Sequence, residues 1–140
     1  MIETLFLDAD IILDLLAQRQ PWFTDSATVF QKIQAGDFQG VTSVTIFANV
    51  FYILRKQLGH KEARQALVKL KCLLKIMVTS EASLEQALTS NFKDFEDAIQ
   101  YYTAQNGGAS LLLTRNIKDY KSEKLPVMTP AQFLESLNCH

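Results

Sequence analysis

Two short runs, Leu5–Leu7 and Leu111–Leu113, are apolar at every position, and polar residues follow each of them at once. A strand with one wet face alternates apolar and polar residues, so an unbroken run marks a strand buried on both faces. Such strands belong to parallel sheets covered by helices on either side. Three further candidate strands, Gly40–Thr42, Ile76–Val78 and Val127–Met128, are separated from these two by stretches with helical periodicity. Phe23–Ala35 carries Ala27, Phe30 and Ile33 on one face and is closed by Gly36. Ser43 is the expected N-cap of a helix that turns Phe47, Val50, Phe51 and Leu54 inward and ends at Gly59. Lys61–Leu74, Ser83–Leu88 and Phe95–Asn106 are the next helices, and Thr129-Pro130-Ala131-Gln132 reads as a capping box with proline at the first helical position. The expected fold class is α/β, a three-layer α/β/α sandwich around a parallel sheet of four to five strands, with the first and fourth strands central. Residues 1–140 are expected to form one domain.

Composition narrows the function classes. Of 140 residues, 48% are apolar and 21% charged, which excludes wholesale disorder. A formal charge of −1 gives no global attraction to nucleic acid or membrane. Cys72 and Cys139 are too few for a disulfide framework, so a reducing cytoplasm is the expected setting. Met1-Ile2-Glu3 lacks the basic start of a signal peptide, and the apolar run Ile46–Leu54, broken by Asn49, is far too short to span a membrane. No membrane partner is expected.

In an open parallel sheet, ligands bind beyond the carboxyl ends of the strands. Asp8 and Asp10 follow the first strand, Thr42 and Ser43 the second, and Thr114, Arg115 and Asn116 the fourth. Asp8 has a plain structural role open to it, as the cap of the helix that follows. Its company argues for more. Asp94, Glu96 and Asp97 open the Phe95–Asn106 helix, whose buried stripe is read as Phe95, Ala98, Ile99 and Tyr102, with Asp97 at its edge and Asp94 and Glu96 in solvent. Asp119 lies on the loop leaving the fourth strand. Three segments thus supply carboxylates to one end of the sheet, and such a self-repelling oxygen cluster suits Mg²⁺ or Mn²⁺. The histidines and cysteines have no zinc spacing.

Four pieces, Phe6–Asp14, Ser43–Arg55, Asp94–Ala104 and Thr114–Tyr120, stand in the order and spacing of a known family. In them the chain resembles the PIN domain of metal-dependent ribonucleases over essentially its whole length. The resemblance implies an acidic quartet around Mg²⁺ or Mn²⁺ that hydrolyses RNA. It also implies the toxin role in a toxin–antitoxin pair, with an antitoxin protein as partner, and a homodimer. Asp8 matches the family's first acid and Asp97 the third. Asp119, or Asn116 beside it, matches the fourth, with Thr114 as the hydroxyl-bearing neighbour.

The chain departs from that pattern twice. Asn49 stands where the family has its second acid, and Asp10 where it has an asparagine. Asn49 can ligate a metal through its carbonyl oxygen or simply hydrogen-bond in a half-buried place. The alternative reading is therefore a PIN-like module with a degenerate acidic site, binding RNA or a protein without cleavage. The Asp8-Ala9-Asp10 pair also evokes haloacid-dehalogenase-type phosphatases, but Ile11-Ile12 replace that family's Gly-Thr. Response-regulator receivers need an acid after strand three, where Lys75–Ser80 offers none. Arg55 to Lys75 contains seven basic residues against Glu62 alone. Such a run serves as a solvated helix face or as a ledge for a phosphate backbone. Arg55, Lys56 and Arg115 are the candidate RNA contacts.

Overall fold

The computed structural model describes residues 2–120 and 124–138. Five parallel strands, β1 (Thr4–Leu7), β2 (Gln39–Thr42), β3 (Leu74–Ile76), β4 (Leu111–Leu113) and β5 (Val127–Met128), stand in the order β3-β2-β1-β4-β5. Leu5, Phe6, Leu7, Leu112 and Leu113 have no exposed surface, as the two inner strands require. Among the described residues, seven α-helices cover the sheet: α1 (Ala9–Leu16), α2 (Phe23–Gln34), α3 (Val44–Leu58), α4 (His60–Lys71), α5 (Glu81–Leu88), α6 (Phe95–Asn106) and α7 (Pro130–Leu137). The chain winds outward from β1 to β3, then returns across the sheet to β4. With right-handed crossovers, that reversal puts α5 and α6 on the face opposite α1–α4. It also leaves a crevice at the carboxyl ends of β1 and β4, where the winding changes direction.

Local signals explain most boundaries. Ser43, Ser80, Asp94 and Thr129 each cap a helix through a side-chain oxygen, and Thr129 with Gln132 completes the capping box. Gly59, at φ +82°, separates α3 from α4. The third strand lies two residues earlier than expected, at Leu74–Ile76 rather than Ile76–Val78. Leu74 is buried beside Gly40, whereas Val78 is 84% exposed, so α4 ends at Lys71 instead of running to Leu74. On α6 the buried residues are Ala98, Gln100, Tyr101, Thr103 and Ala104, and Phe95 is 46% exposed, contrary to the expected stripe. An aromatic cluster caused the shift: Tyr101, not Phe95, packs against Phe92.

Gly40 is fixed by close packing. A Cβ there would come within 2.6 Å of Leu74 Cδ2 and 2.8 Å of Ile33 Cδ1, both buried side chains. Gly40→Ala is expected to lower stability by about 1–3 kcal/mol through overpacking. Urea unfolding measures this, and an unchanged midpoint would mean that Leu74 and Ile33 yield without cost. Among the described residues no helix is long and apolar enough to cross a membrane.

Candidate active site

The acidic residues meet in the crevice between β1 and β4. Where β1 ends, the Asp8 peptide N–H still donates to the Leu113 carbonyl, tying the two strand ends together. Asp8 is the N-cap of α1, accepting from the Ala9 N–H through Oδ1 at 2.8 Å. Capping uses only one of its oxygens. Oδ2 faces the crevice and accepts from the Thr114 hydroxyl at 3.0 Å and the Tyr120 hydroxyl at 2.9 Å. The fully buried Thr114 also lies 3.3 Å from Asp10 Oδ2, which accepts the Arg115 peptide N–H at 3.0 Å. The other oxygen of Asp10, Oδ1, is buried without a partner. Asp97 enters from α6, and the Tyr120 hydroxyl lies 3.4 Å from its Oδ1. One phenol therefore stands between the carboxylates of Asp8 and Asp97.

Asp8, Asp10, Asn49, Glu96, Asp97 and Asn116 share a cavity of about 440 Å³, whose walls also include Gln100, Tyr52 and Ile53. Ser43 fixes the opposite walls to each other. Its hydroxyl accepts from the Ile46 N–H as the cap of α3 and donates to Gln100 Oε1 on α6 at 2.8 Å. The Asn49 amide then donates to Glu96 Oε2 at 3.2 Å across the cavity mouth. Asp119 does not line this cavity. It lies in a neighbouring cleft with Asp94, Lys118 and Asp97, and Asp97 belongs to both spaces.

Burial, and secondarily the charge of Asp8, pushes the Asp10 carboxyl up to about 6. Burial, then Asp8 and Asp94, pushes Asp97 up to about 7. Burial raises the Tyr120 phenol further above its ordinary range, with Asp8 and Asp97 adding to the effect. A carboxyl raised in the folded state binds a proton there that the unfolded chain has already lost. The stability that Asp10 and Asp97 contribute to the metal-free protein therefore falls as pH rises from about 4 through 7. In EDTA, the drop in melting temperature between pH 5 and pH 8 is expected to be smaller in Asp97→Asn than in the parent. Equal drops would mean that Asp97 is not strained by its neighbours.

Residues 4–118 match the sequence profile of the PIN domain. The chain belongs to the PIN domain family. Ribonuclease VapC1 of Aquifex aeolicus is 30% identical to it over 141 residues, covering 97% of this chain and 96% of that protein. A toxin–antitoxin complex from Klebsiella pneumoniae contains a chain of TM-score 0.66 and 26% identity, covering 89% of this chain and 96% of that one. Mycobacterium tuberculosis VapC20, a Sarcin-Ricin loop cleaving toxin, shares the fold at TM-score 0.60 and 16% identity, covering 77% and 86% of the two chains.

Within this PIN domain, Asp8, Asp10, Asp97, Asn49 and Asn116 come together, with Thr114 behind them, while Asp119 stands to one side. Among the described residues, no three Asp, Glu, His or Cys side chains converge closely enough to grip one ion. The acids surround a space, with Tyr120 between two of them. The donor set nevertheless fits a hard divalent cation. It is all oxygen, it carries the strain of clustered carboxylates, and Asp10 Oδ1 has no other partner.

Glu96 and Tyr120 are the functional candidates that periodicity missed. Glu96 is solvent-exposed, as its place in the helix predicts, yet it also lines the cavity and accepts from Asn49 on α3. The basic residues also differ from expectation. Arg115, a candidate RNA contact, is bound to the buried Asp14 at 2.8 Å and lies over the Trp22 ring, 3.9 Å from its centroid. Arg55 lies over the Tyr52 ring at 5.1 Å, beside the cavity wall, and Lys56 is exposed. None of Lys61, Arg64, Lys69, Lys71 and Lys75 lines the cavity. Arg55 and Lys56 do not line it either, and Arg55 reaches it only through its contact with the Tyr52 ring.

Proposed function

We propose that this PIN domain is a divalent-cation-dependent endoribonuclease, the toxin of a toxin–antitoxin pair. The observation that carries the reading is the convergence of Asp8, Asp10 and Asp97 on one cavity, with one oxygen of Asp10 buried and unpartnered beside it. Full-length similarity to a protein named a ribonuclease supports the substrate, and likeness to a chain of a toxin–antitoxin complex supports an antitoxin as partner. A homodimer acting in the cytoplasm completes the proposal.

Mg²⁺ or Mn²⁺, when bound, makes a coordinated water acidic and offsets charge building on the phosphate. Asp8 is pre-oriented for such an ion by the Ala9 N–H and the Thr114 hydroxyl, and Asp10 by the Arg115 peptide N–H. Asn116 and Asn49 offer carbonyl oxygens at the cavity wall. Thr114 orients carboxylates and is too enclosed to attack a substrate. Arg55, held against the wall residue Tyr52, is the cation offered to a phosphate beside the cavity, with the exposed Lys56 next to it in sequence. Incubating mixed RNAs with Mg²⁺, Mn²⁺ or EDTA tests the reading. Cleavage is expected with either metal and none with EDTA. RNA binding without cleavage under every condition would establish the module with a degenerate site instead.

A further inference from the structure

We propose that Glu96 supplies the carboxylate that position 49 lacks, so that the cation pocket of this chain is completed from α6 rather than α3. The proposal rests on the metal-dependent reading above. On α3, Asn49 is neutral, but its amide reaches across the cavity and donates to Glu96 Oε2 at 3.2 Å. Glu96 precedes Asp97 in the first turn of α6, and both line the cavity that holds Asp8 and Asp10. An exposed glutamate in a first helical turn needs no partner across a cleft, since the helix dipole and water satisfy it. Here the Ser43–Gln100 hydrogen bond sets the start of α3 against α6, and the Asn49 amide steers the exposed Glu96 carboxylate toward the pocket wall they share. Unlike a glutamate, an asparagine at 49 has an N–H to give. Residue 49 thereby becomes the positioning residue and residue 96 the charged one.

The pairing also reverses a simple expectation. Replacing Asn49 by glutamate would not restore a missing ligand, because it would set two carboxylates side by side where a hydrogen bond now stands. Glutamate at 49 should be accepted only when residue 96 is made neutral. The arrangement is a swap of partners between two helices, and a swap can be tested by reversing it.

Mn²⁺ affinity, measured by calorimetry and by the electron-paramagnetic-resonance signal of free Mn²⁺, reads this directly without any RNA. Glu96→Gln is expected to weaken Mn²⁺ binding about tenfold or more. The single change Asn49→Glu should weaken binding or leave it unimproved, and the double change Asn49→Glu with Glu96→Gln should recover most of the parent affinity. Asp37→Asn, which removes an exposed charge outside the cavity, should change nothing. Thermal melts in EDTA establish that each variant is folded. If Glu96→Gln binds Mn²⁺ as the parent does while Asp8→Asn does not, the assignment of Glu96 fails and the metal-dependent reading stands. A double variant no better than Glu96→Gln alone would also overturn the swap. If the parent protein itself binds no Mn²⁺, both readings fall together.

Discussion

Asp8→Asn is expected to lower metal-dependent RNA cleavage by at least about a hundredfold while leaving the protein folded. Asp8 is the residue through which the site is joined. One oxygen caps α1, and the other receives the hydroxyls of Thr114 and Tyr120 from the segment that follows β4. Asparagine keeps a carbonyl oxygen for the Ala9 N–H, so the cap survives at a cost of a few tenths of a kcal/mol at most. It also removes one of the charges that raise Asp10 and Asp97, and this relief favours the metal-free fold. The cavity, however, loses a charged ligand for a divalent ion. Binding of an ion to the folded state alone raises the melting temperature with metal concentration, and that rise should shrink in Asp8→Asn. The measurements are cleavage of a labelled RNA in Mn²⁺ and melting curves against Mn²⁺ concentration. A variant that melts lower in EDTA, with neither protein responding to metal, would reduce Asp8 to a helix cap.

The parts of this site that could be read from the sequence are those fixed by neighbours along the chain. Leu5–Leu7 and Leu111–Leu113 announce inner strands, so the polar residues just after them had to lie at the sheet's carboxyl end. That logic reaches Asp8, Asp10 and Thr114 without coordinates. Asp97 followed from its place at the edge of a helical stripe, although the stripe itself was misjudged. Phe95 looked like a core residue by period, yet the Phe92–Tyr101–Tyr102 cluster rotates the apolar face of α6 away from it. Glu96 is exposed, as expected, but its hydrogen bond to Asn49 joins two helices, and no period along one chain segment encodes such a meeting. Strand β3 was displaced because an edge strand is half wet, and Leu74 could be read as the end of a helix as easily as the start of a strand.

Asp14→Ala or Arg115→Ala should be among the most destabilising single changes in the molecule, each costing about 3–5 kcal/mol. Asp14 has no exposed surface, although it lies on α1 among Ile11, Ile12 and Leu13. Its carboxylate is held by Arg115 Nε at 2.8 Å and Nη2 at 3.3 Å, a two-pronged pairing, while Trp22 covers the guanidinium. Removing either partner strands the other charge in a place poor in water, and that penalty dominates the loss. The pair also bears on chemistry, since the Arg115 peptide N–H is a donor to Asp10. A loosened Arg115 frees the backbone that orients one wall of the cavity, so Mn²⁺ affinity should fall together with stability. An apolar pair of similar size, Asp14→Leu with Arg115→Met, leaves no stranded charge and should recover much of the stability lost by either single change. Urea unfolding of the two singles and the double gives the coupling, and RNA binding measured on the folded double variant separates the two possible roles of Arg115. If the double variant regains stability but binds RNA far more weakly than the parent, Arg115 contacts the substrate as well as Asp14. If stability and RNA binding recover together, the candidate RNA contact Arg115 acts as a half-buried brace on Asp14 beside the acidic pocket.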